Sequence, residues 1–222
     1  CIERYQETVE KIVKDGHEIG HHGYLHEDPT QHSADEQSHW FNRALEVHKK
    51  IIGKSPRGYR GPVYNITHDV IDELIKNEFD YDSSLMGDDI PYLMKTKKGQ
   101  LYEVPVHWGT DDWPPFAHYE EINYMMPVRG PSMGLAGFFE EFDAHYAAGG
   151  LWMPILHPFL TGRLARWYQF EKWLERTLIE KNVWFATLEE VVGHVKSLVD
   201  NGEYKPRVDA LPYYHKPVLL DK

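Results

Sequence analysis

Apolar positions along the chain alternate between helical and strand spacing. Over residues 3–14, Tyr5, Val9, Ile12 and Val13 fall on one helical face, and Gly16 offers a stop. Residues 17–22 are short and bounded by glycine, which predicts a strand. Ser33-Ala34-Asp35-Glu36 has the capping-box pattern and opens a helix. Its inward positions are Trp40, Phe41, Ala44, Leu45, His48, Ile51 and Ile52, and it ends at Gly53. Gly58-Tyr59-Arg60 reads as a strand, and Thr67 caps a helix carrying Ile71, Leu74 and Ile75. Strands are predicted at 79–82 and 101–108, then a helix at 135–148 closed by Gly149-Gly150. A strand at 151–156, a helix at 164–181 and a strand at 183–186 follow. Thr187-Leu188-Glu189-Glu190 is a second capping box, opening a last helix to about Val199. The tail from Asn201 is rich in Pro and Tyr and reads as an extended segment.

Six strands separated by helices imply a parallel α/β sheet with right-handed crossovers, either doubly wound or closed into a barrel. No glycine-rich phosphate turn follows any strand. Residues 1–222 read as one domain. Lys and Arg number 24 against 35 Asp and Glu, a formal charge of −11. That balance argues against nucleic acid or an anionic membrane as partner. The single cysteine, Cys1, excludes an internal disulfide framework. No apolar run reaches membrane-spanning length and no leader opens the chain, so a cytoplasmic protein is expected.

Histidine is abundant at 14, with His17, His21, His22, His26, His32, His39 and His48 in the first 48 positions. His17-Glu18-Ile19-Gly20-His21 has the H-E-x-x-H spacing of zinc proteases. That site needs a continuous helix, which Gly16, Gly20 and Gly23 oppose. His22 and His26 sit at a strand exit with spacing that suits two ligands of one cation. Reactive residues also follow the other strands: Arg60, then Asp82-Ser83-Ser84, then Asp111-Asp112-Trp113, then His157 with Arg163 and Arg166. Barrel enzymes place their sites at such strand ends.

The run from Gly16 to Glu27, with His22-Gly23-Tyr24-Leu25-His26-Glu27, resembles the second motif of the polysaccharide deacetylase (NodB-homology) family. Gly58-Tyr59-Arg60-Gly61-Pro62 is similar to its third motif and Asp111-Asp112-Trp113-Pro114-Pro115-Phe116 to its fourth. His157-Pro158-Phe159-Leu160-Thr161-Gly162-Arg163 through Arg166 is similar to its fifth. The motif forms resemble a branch holding intracellular peptidoglycan-deacetylase-like proteins, a cofactor-independent allantoinase and cyclic-imide hydrolases. The resemblance implies a distorted (β/α) barrel of about seven strands. The chain shows six and is about 30 residues short of the usual barrel length, so one or two strands are expected to be missing at its start.

The resemblance further implies hydrolysis of a non-peptide C–N bond, as in deacetylation of an N-acetyl sugar. Zinc or another divalent metal would be held by His22 and His26. His157 would be the general acid, Arg60 would orient a catalytic carboxylate, and Asp111 or Asp112 would position Arg60 or His157. Trp113 would wall the pocket and Tyr24 line its mouth. Arg163 and Arg166 would bind an acidic substrate group or lock the His157 loop. The family's T-F-D-D motif, which supplies the third ligand and the base, has no counterpart in this sequence. Asp88-Asp89 and Asp111-Asp112 lie in the wrong place to replace it. Two other readings stand beside this one. One is a metal-independent cyclic amide or imide hydrolase. The other is an inactive scaffold that persists as an oligomer through Trp152, Trp167, Trp173, Trp184 and Tyr213-Tyr214. A homodimer or homotetramer is expected either way.

Overall fold

The computed structural model describes residues 1–212 and shows a mixed α/β chain. Its helices are α1 Gln6–Lys14, α2 Ala34–Ile52, α3 His68–Lys76, α4 Trp113–Phe116, α5 Pro131–Ala148, α6 Leu164–Thr177 and α7 Leu188–Asp200. Its strands are β1 Gly58–Tyr59, β2 Tyr81–Asp82, β3 Tyr92–Lys95, β4 Gln100–Glu103 and β5 Val208–Ala210. They form one open five-stranded sheet in the order β1-β2-β4-β3-β5. Chain contacts divide it into two compact units. One is Cys1–Pro105 with the described part of Ala186–Lys222, and the other is Val106–Phe185.

The helix signals translate directly. Ser33 and Thr187 each accept from the backbone N–H three residues on, while Glu36 and Glu190 reach back to close both capping boxes. Gly53 and Gly149 stop α2 and α5 in the left-handed conformation. Helix α5 begins at Pro131 instead of 135, α6 ends at Thr177 instead of 181, α4 has no counterpart in the expected pattern, and the first helix departs too. It starts at Gln6, and of its apolar face only Val9 is buried, with Tyr5 54% exposed.

The strands differ more. Segment 17–22 makes a single parallel bridge, His21 to Tyr59, and segment 151–156 a single bridge, Ile155 to Asp111. Pro154 and Pro105 explain two of the limits: each lacks the N–H that would extend a ladder. Segment 183–186 is not a strand. The sheet is not all parallel either, because β3 and β4 form an antiparallel hairpin that the helix-strand alternation does not reveal. The polar turn Thr96-Lys97-Lys98-Gly99 closes it, with Thr96 N–H donating to the Gly99 carbonyl at 2.8 Å. Tyr213-Tyr214 lie outside the described residues. Trp152 and Trp173 pack against the second unit's core instead of offering surface, whereas Trp167 and Trp184 are exposed.

In the first unit, Phe41 and Leu45 of α2, Val70, Ile71 and Leu74 of α3, and Tyr59, Phe79, Tyr92, Met94 and Leu101 of the sheet layer form the core. His21 and His48 are buried beside it, at 1% and 3% exposure. The His21 ring stacks on Phe41 at 4.6 Å, donates from Nε2 to the Phe41 carbonyl and accepts from Gly23 N–H at Nδ1. That arrangement uses both nitrogens, and Glu18 is spent on the Tyr81 hydroxyl and Glu189 N–H, so the H-E-x-x-H run carries no metal site.

Burial pulls His21 down to about 3 and His48 down to about 4 from the ordinary 6.5. Below about pH 6.5 the unfolded chain takes up protons that the folded chain refuses, so this stability exists above pH 6.5 and drains as pH falls. The urea midpoint is expected to drop between pH 7 and pH 4. Each histidine contributes a slope of up to about 1.4 kcal/mol per pH unit. His48→Leu should flatten that drop, and an unchanged slope would refute the assignment.

Candidate active site

Within the first unit, the loop after His21 carries His22 and His26. Glu27 shapes it from inside: its carboxylate accepts from Tyr24 N–H at 3.0 and 3.1 Å and from Leu25 N–H at 2.7 Å. Gly23 at φ +71 lets the chain wrap around that carboxylate, since a Cβ there would lie 2.9 Å from Glu27 Oε1. His26 takes φ +63, a conformation that costs a non-glycine residue roughly 1–3 kcal/mol. The result brings the two rings together, with centroids 4.9 Å apart at 77°. The Nδ1–H of His22 donates to the Arg60 carbonyl at 2.6 Å, which leaves the lone pair on Nε2. Metal-binding histidines are oriented by such an outer hydrogen bond. Tyr24 stacks on Trp40 at 5.7 Å and donates to Glu3, so it is built into a surface stack.

Arg60 ends β1. Gly58 is required just before it, because a Cβ at 58 would fall 1.9 Å from the Tyr81 ring. The guanidinium donates from Nε to the Ser83 carbonyl at 2.9 Å and from Nη2 to Ser83 Oγ at 2.7 Å. The turn after β2 therefore holds Arg60.

Within the second unit, Asp112 and His157 meet. Asp112 is fully buried. Its oxygens accept from His157 N–H at 3.0 and 3.1 Å, from His157 Nδ1–H at 2.6 Å, and from Thr161 N–H and Oγ–H. Asp111 instead caps the turn by accepting from Trp113 N–H at 2.6 Å. Of the two candidate carboxylates, Asp112 is thus the one that positions His157. Trp113 stands edge-on to that imidazole at 5.5 Å. Arg166, not Arg163, locks the loop: its Nη1 donates to the Leu160 carbonyl and its guanidinium lies 4.3 Å from the Phe116 ring. The Arg163 side chain is exposed at the start of α6. Sequence reasoning gives no role to Thr161 or Glu27, although both lie inside the runs that resemble family motifs.

Two side-chain clusters have metal-like spacing in this unit, Asp111-Asp112-His157 and His107-Glu141-His145. Hydrogen bonds speak against both. Asp112 spends its oxygens on N–H and O–H donors. His107 Nδ1 accepts from Gly109 N–H, which places the proton on Nε2, the atom 3.9 Å from Glu141.

A polysaccharide deacetylase family model matches residues 1–81. A peptidoglycan deacetylase of Helicobacter pylori is 26% identical over 216 residues, covering 86% of this chain and 74% of its own. The chain is similar to polysaccharide deacetylases, with the family-model match confined to its first 81 residues. A Mycobacterium smegmatis crystal structure described as a polysaccharide deacetylase superposes with TM-score 0.85 at 29% identity, covering 98% of this chain and 73% of that one. The Puue allantoinase shares the fold, with TM-score 0.76 at 20% identity over 92% of this chain and 66% of that one. No helix among the described residues is long and apolar enough to cross a membrane.

Asp112→Asn is expected to swap the His157 tautomer, because an amide cannot accept at every position the carboxylate fills. Imidazole nitrogen shifts by NMR should show the proton leaving Nδ1. Stability should fall by about 1.5–3 kcal/mol through the lost charged acceptor. An unaltered nitrogen spectrum would show that Asp112 does not set the tautomer.

Proposed function

We propose that the chain is a metal-dependent deacetylase of an N-acetylated carbohydrate. The observation that carries the reading is the grip of Asp112 on His157. With Nδ1–H given to a buried carboxylate, the ring can take and give a proton at Nε2, and Asp112 stabilises the imidazolium that results. In this role His157 protonates the leaving nitrogen as the amide opens. Trp113 beside it supplies an apolar wall. Arg60, braced on Ser83, offers a guanidinium fork to orient a carboxylate. Arg163 and Tyr24 remain candidate substrate contacts, the first by its exposed charge and the second by its loop.

His22 and His26 fit a zinc-type cation as two of its ligands: the rings are adjacent and His22 Nε2 carries the lone pair. When bound, such a metal polarises the amide carbonyl and acidifies a water. The Helicobacter pylori peptidoglycan deacetylase relative and the order of the motifs support a glycan substrate. The exposed Trp167 and Trp184 support a homo-oligomer. Residues 1–222 as one catalytic domain belong to the same proposal.

Elemental analysis of the purified full-length protein should find about one zinc per chain. His22→Ala and His26→Ala should each lose it. Acetate release from N-acetylglucosamine oligomers should fall by about 10²–10⁴-fold in His157→Ala with the metal retained. Metal content indifferent to both histidine changes would overturn the metal assignment. Turnover of allantoin, hydantoin or succinimide without metal would overturn the deacetylase reading.

A further inference from the structure

Strands β2 and β4 are parallel neighbours, and their register sets Asp82 opposite Glu103. Paired residues on adjacent strands face the same side of a sheet. Two carboxyl groups therefore stand together, both at 0% exposure. None of the ion pairs among the described residues involves either one.

Their oxygens divide unequally. Asp82 Oδ1 accepts from Ser84 Oγ–H at 2.7 Å and Oδ2 from Ser84 N–H at 3.2 Å. Glu103 Oε1 accepts from Leu85 N–H at 2.9 Å. Glu103 Oε2 is buried and receives no donor at all. An ionised carboxylate would leave that oxygen stranded beside a second negative charge. A protonated Glu103 resolves both problems, since its hydroxyl then donates to Asp82. The electrostatics agree. Burial and the Asp82 charge push Glu103 well above the usual carboxylic range, while burial raises Asp82 against the pull of Glu103 and Ser84 donors.

What the pair holds is the turn at 83–85. Ser84 Oγ, fixed by Asp82, accepts from Gly61 N–H at 2.8 Å. Leu85 is fixed by Glu103. Ser83 lies between them, donates its Oγ–H to the Val104 carbonyl at 2.8 Å and receives the Arg60 guanidinium. We propose that Asp82 and Glu103 share a single proton and that this buried pair is the positioning device for Arg60. The catalytic consequence rests on the role of Arg60 proposed above; the proton and the placement of Arg60 do not.

The test uses the full chain and three variants. Infrared difference spectra in D₂O at neutral pH should show a protonated carboxylic C=O band that Glu103→Gln removes. Glutamine keeps a donor toward Asp82 and an acceptor for Leu85, so it should leave the Arg60 Nε–H resonance in place. Glu103→Leu and Asp82→Asn should shift that resonance. In the acetate-release assay, Glu103→Gln should cost no more than about threefold in kcat, and Glu103→Leu about 10²-fold. A band that survives Glu103→Gln overturns the shared proton. An Arg60 signal moved as far by glutamine as by leucine overturns the positioning role. If leucine fails to fold, the infrared band and the glutamine resonance still decide. An absence of deacetylation in the unaltered protein would strike the proposed function and leave the infrared and NMR outcomes to judge the pair.

Discussion

The loops of this protein depend on carboxylates that collect donors. A loop leaving a strand abandons its ladder, and each buried N–H it carries must find an acceptor. Glu27 serves Tyr24 and Leu25, Asp82 serves Ser84, Glu103 serves Leu85, Asp111 serves Trp113, and Asp112 serves His157 and Thr161. In each case an acidic side chain replaces the strand that is no longer there. The same bonds fix the reactive residues: Glu27 folds the His22–His26 loop, and Asp112 holds His157 by backbone and ring together. An abundance of Asp and Glu that looks like a solvated surface in the composition is partly internal scaffolding.

Hydrogen bonding also separates histidines that look alike in sequence. His21 and His22 are adjacent. One is sealed against Phe41 with both nitrogens used, and the other gives Nδ1–H to Arg60 and keeps its lone pair on Nε2. Spacing picks out His22 and His26 because they lie four residues apart at the exit of a strand. It cannot show that a positive φ at His26 is what brings the rings together. The choice between Asp111 and Asp112, and between Arg163 and Arg166, is likewise invisible to spacing. Each pair lies on one short turn, and a rotation of one residue decides which side chain faces inward.

Legibility of the fold follows the range of the interaction. Helix caps are local, so both capping boxes and both glycine stops are readable from four or five residues. Strands exist only through their neighbours. Residues 151–156 have a strand-like composition and form one bridge, because Pro154 breaks the donor row. Tyr92–Lys95 lacks a clean alternation and yet is a full strand, because β4 and β5 flank it. A period-2 pattern reports one face in water. A strand buried on both faces reads only as a short apolar run.

Asp82 shows how far this logic reaches. Beside two serines it reads as a turn former, which is true of its bonds to Ser84. Glu103 lies 21 residues away in a strand of Leu, Tyr and Val, where a charged residue contradicts its surroundings. Neither anomaly explains itself alone. Only the register of β2 against β4 puts the two acids side by side, and only the count of donors around four oxygens shows that one is missing. A proton is the smallest donor that fits there. The turn that braces Arg60 is thus set by strand pairing and by a protonation state, neither of which any local stretch of the sequence encodes.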